Sequence, residues 1–102
     1  MTVVVTAVFH PNPGAKDHLV EVLRATMPAV HEEPGCLLYA IHDADDGSVT
    51  MIEKWATRAD LDAHSTGTAV APLREAADPL LARPTVVTTM TPIPVGDAAG
   101  AL

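Results

Sequence analysis

A carboxylate, an indole and an imidazole occur close together in the chain, at Glu53, Trp55 and His64. Glu53 and Trp55 are two residues apart in a run typical of a strand, so their side chains are expected on the same face. His64 follows in a run typical of a helix. Imidazole exchanges protons between about pH 5 and 8, and a neighbouring carboxylate can orient it. The three residues therefore suggest an acid–base site beside an aromatic wall.

The same three residues also fit a purely structural interpretation. A single Trp at a strand end commonly belongs to the core. Glu53 on a covered face needs a partner, because burying a lone charge is costly, and His64 is the nearest candidate in the sequence. A hydrogen bond between Glu53 and His64 would then hold the helix to the sheet, whether or not it also transfers protons.

Other chemistries have less support in the sequence. The five histidines show none of the short spacings of a zinc site, so no metal is expected. Cys36 is the only cysteine and is expected to be a packed side chain. No glycine-rich phosphate loop occurs, which disfavours a nucleotide cofactor.

Composition limits the partners of the chain. Its 102 residues suffice for one domain, and six basic and thirteen acidic residues give a net charge of −7. This balance disfavours nucleic acid and anionic membranes, because both are negatively charged. No apolar run approaches the roughly 20 residues of a membrane span, and the start MTVVVTAVFH lacks the basic region of a signal peptide. We expect a cytoplasmic protein.

The hydrophobic periodicity changes along the chain between a two-residue and a helical repeat. The predicted strands are 3–10, 36–43, 48–55 and 84–92, and the predicted helices are 15–31, 58–65 and 69–81. The order β-α-β-β-α-β is that of the ferredoxin-like α+β fold with an antiparallel sheet. Residues 1–93 would form this domain, and residues 94–102 a tail or an arm that reaches a neighbouring subunit.

Both faces of the first predicted strand are largely apolar. One face carries Val3, Val5, Ala7 and Phe9, and the other carries Val4, Thr6, Val8 and His10. A ferredoxin-like sheet has helices on one face only, so one apolar face remains to be covered. An exposed apolar face of this kind suggests a partner surface, and we expect a homodimer through the sheet faces.

Two stretches, HEEPGCLLYAIHD and VTMIEKWATRADLDAH, resemble the antibiotic biosynthesis monooxygenase family. The matching residues are Pro34, Gly35, Cys36, Tyr39, Glu53, Trp55, Ala63 and His64. They are most similar to the small quinol monooxygenases of that family. The resemblance implies a dimeric α/β barrel with a cavity between sheet and helices. It also implies oxidation of an aromatic quinol, anthrone or polyketide-like substrate by O₂, without flavin, heme or metal.

The resemblance further assigns roles to individual residues. His64 would be the base, Glu53 the residue that orients it, and Trp55 the aromatic wall. The residues expected to contact the substrate are Tyr39, Met51, Ala7, Phe9 and Arg74.

Heme-degrading members of the family differ from this chain. They carry an Asn where this chain has Ala7, and a heme-ligating His on the last helix, whereas VAPLREAADPLL contains none. Heme is therefore not expected. Two other functions stay open: an isomerase or other small-metabolite enzyme on the same fold, and a dimeric ligand-binding or stress-associated protein without catalysis.

Overall fold

The computed structural model describes residues 1–102. The elements, in chain order, are β1 (Val3–Phe9), α1 (Lys16–His31), β2 (Cys36–Asp43), β3 (Val49–Trp55), α2 (Arg58–Ser65), α3 (Val70–Ala77) and β4 (Val86–Met90). Two short 3-10 turns, Asp78–Leu80 and Ala98–Gly100, follow α3 and β4 respectively. No helix combines the length and the apolar character needed to cross a membrane.

The four strands form one sheet in the order β2-β3-β1-β4. All neighbouring pairs are antiparallel, and Val5 of β1 is paired with Glu53 of β3. The element order and the sheet order together confirm the predicted ferredoxin-like α+β fold. They place Glu53 on a central strand, where the sheet holds it from both sides.

Burial alternates along β3 as its sequence predicts. Val49, Met51, Glu53 and Trp55 are buried, and the residues between them are half-buried. The buried residues face the helices, where they meet Leu19, Leu23 and Val30 of α1 and Leu61 of α2 in one core. This face of the sheet therefore carries both the core and the polar residues of interest.

The opposite face of the sheet is not covered by any helix. Val4, Thr6 and Val8 of β1 lie on it, in register with Lys54, Ile52 and Thr50 of β3. Most of these side chains are half-buried by their neighbours in the sheet rather than by a second layer. The apolar face predicted to remain open is thus the one with Val4 and Val8.

Prolines account for the main differences from the predicted bounds. The stretch predicted as helix 69–81 is α3 followed by a separate 3-10 turn, because Pro79 has no amide hydrogen to donate. β4 is shorter than the predicted 84–92 because Pro84 and Pro92 cannot take part in the strand ladder as donors. By contrast, α1 continues through Pro28 to His31 without interruption.

The side chain of Thr57 caps the start of α2. The Thr57 hydroxyl accepts a hydrogen bond from the Asp60 amide at 3.1 Å and donates one to the Asp60 carboxylate at 2.9 Å. α2 then spans the predicted residues 58–65. Leu61 and His64, three positions apart, are its buried residues and share its inward face.

The turn before β2 packs directly on this helix start. Gly35 adopts a φ of +78°, a conformation that other residues rarely take. A Cβ atom at Gly35 would lie 2.1 Å from Oδ2 of Asp60, and the Gly35 carbonyl accepts a hydrogen bond from the Ala56 amide at 2.8 Å. The glycine therefore allows the end of α1 and the start of α2 to approach each other.

Candidate active site

A cavity of about 760 Å³ lies between the helix side of the sheet and helices α2 and α3. All four strands contribute to its lining. The predicted site residues that line it are Ala7, Phe9, Tyr39, Glu53, His64 and Arg74. The structure therefore brings most of the predicted residues to one cavity.

Trp55 and Met51 do not line this cavity, and their contact with a substrate stays a prediction. Both are on the predicted face but lie deep in the core, with 0% and 1% of their surface exposed. The Trp55 ring stacks on the His64 ring, with centroids 4.6 Å apart and planes 28° apart. Trp55 thus packs against the imidazole from within the core.

His64 is bound by Glu33, a residue that the sequence analysis did not single out. Its Nδ1 lies 2.9 and 3.0 Å from the two carboxylate oxygens of Glu33. By contrast, its Nε2 is 3.9 Å from Oε1 of Glu53, too far for a hydrogen bond. The predicted Glu53–His64 hydrogen bond is therefore wrong, and Glu33 orients the ring.

The hydrogen bonds define the tautomer of the neutral imidazole. Because a carboxylate only accepts, Nδ1–H is the donor to Glu33, and the lone pair of the neutral ring is on Nε2. Nε2 makes no hydrogen bond. Every fully buried side-chain nitrogen and oxygen has a hydrogen-bond partner, so Nε2 is not fully buried. Nε2 of this largely buried ring is therefore accessible from the cavity, as a proton acceptor must be.

Glu53 is held in place by Trp55. The indole Nε1–H donates a hydrogen bond to Oε1 of Glu53 at 3.0 Å. Burial raises the pKa of the Glu53 carboxyl above its ordinary value of 4.5, although the Trp55 hydrogen bond and the nearby His64 act in the opposite direction. Glu53 is consequently a carboxyl group close to Nε2 that releases its proton less readily than an exposed glutamate.

Tyr39 contributes a phenol to the same cavity. Its ring meets the His64 ring edge-on, with centroids 5.5 Å apart. Burial raises its pKa, and the charges of Glu53 and Glu33 raise it further, so the hydroxyl keeps its proton. The hydroxyl has no hydrogen-bond partner in the protein and is therefore not fully buried. It is accessible from the cavity that Tyr39 lines. It is placed to donate to an oxygen of a bound molecule.

Cys36 lies near these carboxylates as a free, half-buried thiol. Burial raises its pKa, with further contributions from Glu33 and Glu53, so the unreactive thiol form is favoured. No three His, Cys, Asp or Glu side chains converge in an arrangement that could hold a metal ion.

Comparison with known proteins identifies the family. The model of the antibiotic biosynthesis monooxygenase family matches residues 2–76, and the chain belongs to this family. A Mycobacterium tuberculosis protein named "Putative monooxygenase Rv0793" is 33% identical over 92 residues, which cover 89% of this chain and 91% of that protein.

Solved structures agree with this assignment. The structure of Rv0793 superposes with a TM-score of 0.86 at 30% identity, covering 96% of this chain and 99% of that one. A crystal structure described as an antibiotic biosynthesis monooxygenase gives a TM-score of 0.82 at 26% identity, covering 90% and 99%. A protein from Methanosarcina mazei, at 17% identity and a TM-score of 0.83 over 88% and 91%, shares the fold.

Proposed function

We propose that this protein is a cofactor-independent monooxygenase that oxidises a quinol, an anthrone or a similar polyketide-like aromatic compound with O₂. One observation carries the proposal: His64 presents an unpartnered Nε2 to the cavity while Glu33 holds its Nδ1. Membership of the antibiotic biosynthesis monooxygenase family supports it.

The reaction needs a base because O₂ reacts with the electron-rich anion of such a substrate. With anthrone, Nε2 takes a proton from the ring methylene. The carbanion transfers one electron to O₂, and the two radicals combine to a hydroperoxide that regains the proton from His64. Loss of water then gives the quinone, so one anthrone and one O₂ yield one anthraquinone and one water.

The surroundings of His64 support this role. The imidazolium formed after proton transfer would lie between Glu33 at Nδ1 and Glu53 near Nε2, and two carboxyl groups stabilise its positive charge. Tyr39 can donate its hydroxyl to the substrate oxygen on which negative charge develops.

The cavity suits a flat aromatic molecule of moderate size. Its volume of about 760 Å³ lies within the range of roughly 300–1,000 Å³ that small-molecule sites occupy. Ala7 and Phe9 supply apolar contacts from β1, and the polar groups come from Tyr39, Glu53 and His64. An apolar floor with a few convergent polar groups is typical of such sites.

O₂ consumption on a panel of hydroquinones and anthrones tests the proposal. We expect His64→Gln to lose about 100-fold or more of the activity, the usual contribution of a general base. His42→Gln is the matched control, because that histidine is exposed and binds only the Thr50 carbonyl. The proposal fails if no substrate is consumed, or if His64→Gln lowers only the melting temperature. A phosphorylated metabolite found in the cavity would instead favour the isomerase function.

We also propose that the uncovered sheet face packs against the same face of a second copy. Val4, Val8, Leu38 and Ile52 give this face an apolar centre without a covering layer, and two copies would cover each other. Light scattering after size exclusion should give about twice the chain mass of 10.6 kDa. Ile52→Lys should shift the protein to the monomer, whereas Ala25→Lys on the exposed side of α1 should not. A stable wild-type monomer contradicts the proposal.

A further inference from the structure

The arginines of this acidic chain are concentrated at the cavity. The whole chain has thirteen acidic and six basic residues, but three of each line the cavity. The basic ones are Arg58, Arg74 and Arg83, which leaves Arg24 as the only arginine elsewhere. They come from the start of α2, from α3 and from the segment before β4, so the fold gathers them from three separate parts of the sequence.

Two of these arginines lack a carboxylate partner. Arg58 is paired with Asp62, with Nε and Oδ1 3.5 Å apart. Arg83 instead contacts the His10 ring nitrogen at 3.3 Å, which leaves its charge unpaired. No carboxylate lies within salt-bridge distance of Arg74.

The exposed rim of the cavity carries more arginine than carboxylate charge. Glu53 is buried at the base of the cavity and accepts the Trp55 hydrogen bond, and Asp62 is paired with Arg58. Asp78 is the one further acidic residue that lines the cavity. Arg74 and Arg83 therefore outnumber Asp78 on the exposed side of the cavity, where their guanidinium groups can bind an anionic group.

We propose that the substrate is an aromatic carboxylate, whose carboxylate group binds Arg74 and Arg83 while its oxidisable ring carbon lies at His64. This inference rests on the proposed oxidation and names its substrate class. A guanidinium group offers paired N–H donors that match the two oxygens of a carboxylate. The acidic surface elsewhere would repel such a substrate, so the rim also directs it to the cavity.

A matched pair of quinols tests this substrate class. We expect the wild type to oxidise dihydroxynaphthoate with a kcat/KM about tenfold above that for dihydroxynaphthalene, the size of effect expected of ion pairs open to solvent. Added salt should reduce the ratio. Arg74→Gln combined with Arg83→Gln should bring it close to one, whereas Arg24→Gln, on the exposed side of α1, should leave it unchanged. A wild-type ratio near one, or a ratio that the double variant keeps, overturns the inference while leaving the oxidation itself in place.

Binding measurements separate the two proposals if neither quinol is oxidised. In that case the oxidase function fails, and calorimetric titration with 2-naphthoate and 2-naphthamide tests the rim alone. Tighter binding of 2-naphthoate that depends on Arg74 and Arg83 supports a carboxylate site. Equal binding of the two compounds, or a preference that the double variant retains, overturns it.

Discussion

Substitution of Glu33 by glutamine tests the contact between Glu33 and His64, which the structure shows and the sequence did not predict. Glu33→Gln keeps the size of the side chain but removes the negative charge that binds Nδ1 of His64. The amide can also donate to Nδ1, which would move the ring proton to Nε2 and remove the lone pair from the cavity. Both effects weaken His64 as a base.

The expected loss follows from the geometry of the contact. A hydrogen bond to a charged group contributes about 1.5–3 kcal/mol. The Glu33 side chain is 23% exposed, so water competes for it and the lower end applies. About 1.5 kcal/mol corresponds to a roughly tenfold loss in kcat.

The assay is steady-state O₂ consumption across pH. We expect the Glu33→Gln rates to lie below those of the wild type throughout this range. Glu33→Asp keeps the charge and should restore part of the activity, and Glu32→Gln at the exposed neighbouring position should behave like the wild type. Equal rates and equal pH profiles for Glu33→Gln and Glu32→Gln would refute the assignment of Glu33 as the orienting residue.

Three further predictions concern stability. Because burial raises the pKa of Glu53 above 4.5, its protonated form favours the folded state, and this contribution is lost as pH rises through the folded-state pKa. We therefore expect the difference in unfolding free energy, wild type minus Glu53→Gln, to be smaller at about pH 8 than at about pH 4 in urea titrations. A constant difference would contradict the burial effect. Gly35→Ala should lower the unfolding free energy by about 1–3 kcal/mol, because alanine is strained at this φ and its Cβ collides with Asp60; an unchanged melting temperature would be inconsistent with that turn geometry. Thr57→Ala removes the cap of α2 and should cost about 1 kcal/mol in denaturant titrations, and a neutral effect would mean that the cap does not stabilise the helix.

Local patterns in the sequence predicted where the main catalytic candidates face. The alternation of β3 placed Glu53 and Trp55 on one face, and the helical repeat placed His64 on the helix 58–65 that follows. Each of these features depends on residues a few positions apart. The family resemblance and the fold were predictable for the same reason, since the motif residues lie in consecutive elements.

The contacts between distant segments were not predictable in this way. Glu33 and His64 are 31 positions apart, and their approach depends on the Gly35 turn packing against Asp60. Alternation identifies the face of a strand but not which part of that face lies under the cavity, so it could not predict that Trp55 stacks on His64 in the core. A glutamate placed immediately before the Pro-Gly turn was the one signal in the sequence that could have pointed to Glu33.

Proton abstraction by His64 is the central claim, and anaerobic hydrogen exchange measures it without the oxidation that follows. Anthrone in D₂O exchanges its ring methylene protons, and proton NMR follows their loss. The wild-type protein should accelerate this exchange above the buffer rate, and His64→Gln should reduce the acceleration by about 100-fold or more, as expected for loss of a general base. Exchange that His64→Gln catalyses as well as the wild type, or no acceleration by the wild type, would contradict the account.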